Sequence, residues 1–313
     1  MLLPRSASVR KRASVRRVVL VFLLLAGVAS ISSPSRLFAA SGGNDGAADK
    51  SAHRATLKTA AATSLDIPFN YDPDAERMLL DLANQARAGS GAPRLMLDAG
   101  MNQAARAHAE TMFAARRISH QVEGEPALPQ RLGTATHAQL DQEAENVALD
   151  FSAANGHKHL MLSPPHRANL LNPAYNVVGF GVVRSGDRLY IVQDFGHALP
   201  NYSAPEVKGR IAATVARVRH QANQPDLARS DLPAADATAC SMAQEDQLTT
   251  APIHQLAQRS TVLAYTSLRP GALPANAADV LAGQSLRSFS VGTCYARTAT
   301  YPTGAYWVVL SLE

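Results

Sequence analysis

The sequence predicts an α+β fold in two units, and three observations carry the prediction. A chain of 313 residues with 46% hydrophobic content has the material for one sizeable core or two modest ones. Apolar residues recur at helical spacing through much of the first half. Apolar β-branched and aromatic runs come in two adjacent pairs, at residues 177–195 and 288–312, each pair separated by a short turn-forming segment.

Taken in order, folding is expected to start near Tyr71. Asp72-Pro73-Asp74 supplies a cap and a proline for a helix start, and Met78, Leu79, Leu82, Ala83 and Ala86 repeat on one face until Gly89 and Gly91. A second helix follows Asp98, with Met101, Ala104, Ala105, His108, Ala109, Met112 and Phe113 on its apolar stripe. Residues 123–142, with Pro126 and Pro129, read as a polar loop plus a short helical turn around Arg131. A third helix over residues 155–162 carries His157, Leu160 and Met161 on one side and stops before Pro164-Pro165. Residues 177–183 and 189–195 form a hairpin about the Gly186-Asp187 turn.

Residues 199–207, with Pro200 and Pro205, read as a connector from a first domain (71–198) to a smaller C-terminal α+β domain (208–313). That second domain opens with a helix-like stretch at 208–223 and, after a polar stretch, closes with a second strand pair. Val291-Gly292-Thr293-Cys294 and Tyr306-Trp307-Val308-Val309 are weak counterparts of Val178-Gly179-Phe180-Gly181 and Leu189-Tyr190-Ile191-Val192. On the same alignment Met242 takes the place of His108. The C-terminal domain is either a degenerate half-repeat or an unrelated small α+β unit.

The N-terminus carries Arg5, Arg10, Lys11, Arg12, Arg16 and Arg17 ahead of an unbroken apolar run at residues 18–26, the pattern of an export signal over residues 1–40. Small residues place cleavage after Ala29 or near Ala39, and no cysteine follows to direct lipidation. Residues 41–70 are rich in Gly, Ala, Ser and Thr and read as a flexible linker. The first 44 residues hold seven of the 30 basic side chains and none of the 25 acidic ones, so the remainder carries 23 against 25 and is nearly neutral. The whole-chain basicity therefore reports the targeting segment and gives no support for a nucleic-acid partner or an anionic membrane surface. No stable membrane insertion is expected after signal cleavage, and the expected location is secreted or periplasmic. Cys240 and Cys294, the only cysteines, are expected to form one disulfide in an exported protein. Its loop-closure contribution is about 3–4 kcal/mol.

Candidate chemistry collects in three phrases: Ile118-Ser119-His120, Glu145-Asn146-Val147-Ala148, and Ser163-Pro164-Pro165-His166-Arg167. Two imidazoles and a carboxylate are the donors that a divalent cation or a proton-transfer site needs. Asn146, Ser163 and Arg167 join them as candidate ligand-binding residues. His108 sits on an apolar helical stripe and reads as a core histidine. The His-Glu-x-x-His and Gly-x-Ser-x-Gly patterns and a phosphate-cradling glycine loop are all absent, so hydrolysis is not written in any local motif.

With these phrases, Leu79 to Arg87, Leu95 to Asp98, Ala104 to Met112 and Val192-Gln193-Asp194-Phe195, residues 74–198 resemble the bacterial SCP-like branch of the CAP superfamily (cysteine-rich secretory proteins, antigen 5, pathogenesis-related 1). The resemblance implies a three-layer α-β-α sandwich with an antiparallel sheet and a cleft lined by His120, Glu145 and His166. Many relatives place a second glutamate between the last two. Here Asp150 is the only carboxylate in that interval, so Asp150 substitutes, His157 does, or three protein ligands and water suffice. The expected function is a ligand- or metal-binding interaction module for an extracellular or cell-envelope partner, with Zn2+ or another divalent cation as candidate cofactor. The alternative makes His120, Glu145 and His166 the catalytic residues of a metal-dependent or general-base hydrolase acting on peptides or cell-envelope material.

Overall fold

A computed structural model describes residues 69–313; the expected signal, and the linker up to residue 68, lie outside the described residues. The first unit is built on one sheet of β1 (Asn70–Tyr71), β2 (Met96–Leu97), β3 (Leu140–Asp150), β4 (Val177–Ser185) and β5 (Arg188–Ala198). Strand order is β1-β4-β5-β3, with β2 alongside β4 in parallel and every other pairing antiparallel. β3 is thus an edge strand.

Helices cover both faces. On one side α1 (Pro73–Ser90), α4 (Ala153–Leu162) and α5 (Pro164–Leu171) contribute Leu79, Ala83, Ala153 and Leu170 to a core with Val178, Phe180, Val182, Ile191 and Phe195. On the other, α2 (Ala99–Ala114) packs Ala105, Ala109 and Met112 on Val147, Val183 and Val192, and α3 (Leu128–Ala135) adds Leu132 beside Met101 and Leu140. The period-2 alternation of the strands sorts their side chains between the two cores, and the result is the three-layer α-β-α sandwich.

The expected caps are used. Asp72 Oδ1 accepts the Ala75 N–H at 2.9 Å, and Asp98 Oδ1 accepts the Met101 N–H at 2.8 Å. Gly91 closes α1 in the left-handed region at φ 75°. Three local expectations need correction. Residues 123–142 contain a full two-turn helix, α3, and the first residues of β3, because Leu128, Arg131 and Leu132 face inward together. Pro164-Pro165 does not lead into a loop but opens α5, since a proline in the first helical turn forfeits no hydrogen bond. The connector is shorter than expected because α6 starts at Ala204, where Ser203 and Glu206 form a capping box.

The second unit comprises α6 (Ala204–Gln221), β6 (Ala228–Arg229), α7 (Pro233–Glu245), α8 (Ala251–Ala257), β7 (Thr261–Ser267), α9 (Ala277–Leu281), β8 (Ser288–Ala296) and β9 (Ala305–Leu312). Its sheet runs β6-β8-β9-β7, with β6 and β8 parallel and the rest antiparallel. Cys240 of α7 and Cys294 of β8 form the expected disulfide, with Cα atoms 5.0 Å apart. Among the described residues no helix is long and apolar enough to cross a membrane.

Candidate functional site

β3 presents alternate side chains to the two layers, and the sequence Glu145-Asn146 therefore splits at the sheet. Glu145 points toward α2 and α3, directly opposite Asp194 of β5; Asn146 points toward α4 and α5, opposite Gln193. The loop after α2 brings His120 over the strand edge from one layer, and α5 brings His166 from the other. Their rings meet with centroids 6.5 Å apart.

His120 is held by a 3.0 Å hydrogen bond between Nδ1 and Glu145 Oε1, yet 61% of its side chain remains exposed. With Nδ1 held by the carboxylate, Nε2 is the ring nitrogen left to meet a ligand. His166 is half-buried. Burial, and then the neighbouring His120, lowers its pKa from the ordinary histidine value, which favours the neutral ring. The His166 carbonyl accepts from Asn146 Nδ2 at 3.0 Å, and Asn169 Nδ2 donates to Asn146 Oδ1 at 3.0 Å, which pins α5 to the strand.

Beneath this rim lies a buried charged network. Arg131 of α3 donates through Nη2 to Glu145 Oε2 and through Nη1 to the His120 carbonyl, with Glu125 3.4 Å from the same Nη1. Glu125 in turn holds His108, whose Nδ1 lies 2.8 Å from Oε1 while its Nε2 faces the Ser119 carbonyl at 2.9 Å. Both ring nitrogens thus face oxygen atoms.

Asp194 completes the set from β5. It is fully buried, and neither carboxylate oxygen meets a donor. Burial first, and then the Glu145 charge, pushes its pKa well above the ordinary carboxylate range, with Arg131 opposing. A proton on Asp194 supplies the donor that two facing carboxylates lack. Because the folded value lies above the unfolded one, the stability contributed by protonated Asp194 is complete below the unfolded value and is lost as pH rises through the folded one. Asp194→Asn, isosteric and never charged, is therefore expected to gain on the wild type between pH 4 and pH 8 by about 1–3 kcal/mol. Chemical denaturation at the two pH values checks this; a difference that does not change with pH contradicts it.

The structure brings His120, Glu145 and His166 together at one edge, with Asn146 as the brace beneath. Ser163 and Arg167 do not join them. Ser163 marks the junction of α4 and α5, and Arg167 is exposed beside a shallow groove of about 370 Å³ lined by Met161, Leu162 and Leu171. Asp150 does not act as the second carboxylate: it lies five residues along β3, roughly 16 Å away, and pairs with His159 at 2.6 Å. Nor does His157, on α4, reach the set. The second glutamate is Glu125, upstream of Glu145. Three participants, Glu125, Arg131 and Asp194, escaped the sequence reading. Only Gln193-Asp194, a polar pair inside an apolar strand run, carried a readable signal, since buried polar groups in a strand need a reason.

These donors do not fit a three-ligand metal. Both Glu145 oxygens are engaged, one by a guanidinium that would repel a cation, and among the described residues no group of three His, Cys, Asp or Glu is arranged to hold one. What faces outward is a pair of imidazoles.

An antiparallel sheet between two helical layers, with a His/Glu cluster over its edge strand, is the setting in which comparison with known proteins becomes informative. Residues 80–195 match the family described as CAP, the cysteine-rich secretory protein family, and this stretch is similar to it. Among solved structures, an extracellular protein containing an SCP domain from Bacillus anthracis is 24% identical, over 40% of this chain and 41% of its own, with a TM-score of 0.37. An outer surface protein from Borrelia burgdorferi is 17% identical over 42% of this chain and 100% of its own, with a TM-score of 0.39. Na-ASP-1 is 10% identical over 77% of this chain and 89% of its own, with a TM-score of 0.41. No curated protein matches the chain.

Proposed function

We propose that the chain is an exported CAP-domain protein that works as a binding module, holding a polar extracellular or cell-envelope ligand between the imidazoles of His120 and His166. The observation that carries this reading is the meeting of two rings from opposite helical layers, centroids 6.5 Å apart, over a buried network that fixes one of them. Two adjacent imidazoles suit a ligand rich in hydrogen-bond donors, or a cation that takes two imidazoles and completes its shell elsewhere. The N-terminal basic-then-apolar pattern and the cystine support export.

Zn2+ serves as a probe of converging imidazoles. Calorimetric titration of the purified chain is expected to give binding that either His120→Ala or His166→Ala lowers at least about tenfold, the scale of one lost ligand. Affinity unchanged from the wild type in both variants overturns the assignment.

One observation favours a second reading. Glu145 grips Nδ1 of His120 and leaves Nε2 outward, the way a carboxylate orients a general base. A hydrolase of peptides or cell-envelope material follows from it, and a screen against those substrates with Glu145→Gln as control separates the two. Turnover that survives the substitution unaltered removes this reading.

A further inference from the structure

We propose that the second unit is a copy of the first that lacks the polar strand and helix positions of the cleft, and that it positions the cleft by clamping residues 133–141, the segment between Arg131 and Glu145. The inference rests on the cleft between His120 and His166 being the working site.

Correspondence between the units extends to single atoms. Strands β6-β8-β9-β7 repeat β2-β4-β5-β3 in order and direction. Arg87 and Arg219, both fully buried, each donate Nε to a proline carbonyl six residues on, Pro93 at 2.6 Å and Pro225 at 2.9 Å. Each also sends Nη1 to two further carbonyls, Leu170 and Asn172 in one unit, Leu281 and Gly283 in the other. Gly179 and Gly292 lie so close to the helix backbone at Met101 and Ala235 that a Cβ would collide with it. The next N–H in each strand, of Phe180 and of Thr293, donates to Asn102 Oδ1 at 2.8 Å and to Asp236 Oδ1 at 2.9 Å.

Those anchors fix the register for the site. His108, six residues past Asn102, corresponds to Met242, six past Asp236. Gly179 faces Asp194, which faces Glu145; Gly292 faces Val309, which faces Ala264. Asn146 and Gln193 correspond to Tyr265 and Val308. The positions of His108, Glu145, Asn146, Gln193 and Asp194 thus have buried apolar or aromatic counterparts, so the second copy lacks this part of the network.

Its polar reach is directed outward instead. Arg297 Nη1 donates to the carbonyls of Gly133 at 2.8 Å and Thr136 at 2.6 Å, which satisfies the C-terminal end of α3. Thr303 Oγ1 donates to the Leu140 carbonyl at 3.1 Å, Gln139 Nε2 to the Leu268 carbonyl at 2.9 Å, and Arg269 Nε to Asp141 Oδ2 at 3.0 Å. Gly133 presses on Pro302 with no room for a side chain. The clamp is stiff, because Cys294, three residues before Arg297, is cross-linked to α7. Gly133 is two residues from Arg131, and Arg131 sets both the Glu145 carboxylate and the His120 carbonyl. Arg297 is accordingly a positioning residue for the cleft.

The full chain tests this with Arg297→Ala and Arg297→Lys. Readouts are amide exchange over α3, the NMR ring signals of His120 and His166, and the emission of Trp307, the only tryptophan and a reporter of the second unit. Arg297→Ala is expected to speed exchange in α3 by about tenfold or more, the equivalent of one hydrogen bond from a charged donor. Both ring signals are expected to move while Trp307 emission stays, and lysine should restore part of the effect. Unchanged exchange and ring signals overturn the proposal. If Arg297→Ala does not fold, Thr303→Val removes one oxygen of the clamp and is expected to produce the same changes at smaller size; an unaltered cleft there overturns it equally. Absence of Zn2+ binding in the unaltered chain, with the clamp variants responding as expected, would instead count against the binding assignment alone.

Discussion

Arg131→Met is expected to destabilise the first unit by about 3–5 kcal/mol at pH 7, the cost of leaving buried charge without its partner. Arg131 is 7% exposed and its guanidinium touches Glu125, Glu145 and the His120 carbonyl at once. Methionine fills much the same volume, so little cavity is left; what disappears is the cation between two carboxylates. Glu125 and Glu145 then lose the guanidinium that stands between them. Denaturant titrations of the wild type and the variant at pH 7 read the destabilisation directly. A loss below about 1 kcal/mol at pH 7, typical of an exposed ion pair, would mean that water reaches the network and that Glu145 does not need Arg131 to stay in place. Glu145→Gln in the Arg131→Met background is expected to recover part of the stability, since it withdraws one of the uncompensated charges. Such recovery is the mark of a coupled pair.

The legibility of this fold tracks the distance over which each signal acts. Caps at Asp72 and Asp98, the hairpin at Gly186, the closing strand pair and the helical stripes are written within a turn or a few residues, and all were readable. α3 and β3 were not. Leu140 to Asp150 alternates poorly because both faces of that strand meet polar partners, Glu145 and Asn146 among them, so the apolar period that announces a strand is erased by the site itself. Pro164-Pro165 is compatible with a helix stop and with a helix start, and only the packing of Leu170 against the sheet decides for a helix.

The cleft divides in the same way. His120, Glu145 and His166 sit in phrases that a family resemblance can find. Glu125 and Arg131 sit in a polar, proline-bearing stretch where an acidic or basic side chain looks solvated, and their burial is set by α3 folding against the sheet some distance from either in sequence. Arg131 marked a helical turn in the sequence but gave no hint that its charge would be enclosed. A buried cation is identified by what surrounds it, and its surroundings are assembled by tertiary structure.

Arg87→Met is expected to cost the first unit a further-reaching loss of about 3–5 kcal/mol, and the comparison with Arg219→Met shows why. Among the described residues Arg87 pairs with carbonyls and with no carboxylate. Its guanidinium is fully buried and donates to the carbonyls of Pro93, Leu170, Asn172 and Tyr175, tying the end of α1 to the end of α5 and the turn before β4. Burial pulls its pKa below the ordinary arginine value, a sign that the cation is enclosed at a cost which the carbonyl dipoles offset. Methionine removes that cost but strands four acceptors, each worth roughly 1 kcal/mol or more when buried without a donor. Lysine is expected to rescue little, because one ammonium cannot span a fork of carbonyls on both sides. Arg219 makes the equivalent bonds through Nε and Nη1, but its Nη2 is buried without a partner. Arg219→Met should therefore cost less, and its effect should appear in the Trp307 transition of the second unit. Equal losses in the two units, or a loss at Arg87 that lysine repairs in full, would show that a single charge rather than the geometry of the fork holds these helix ends, and that the fourth carbonyl, of Tyr175, contributes nothing.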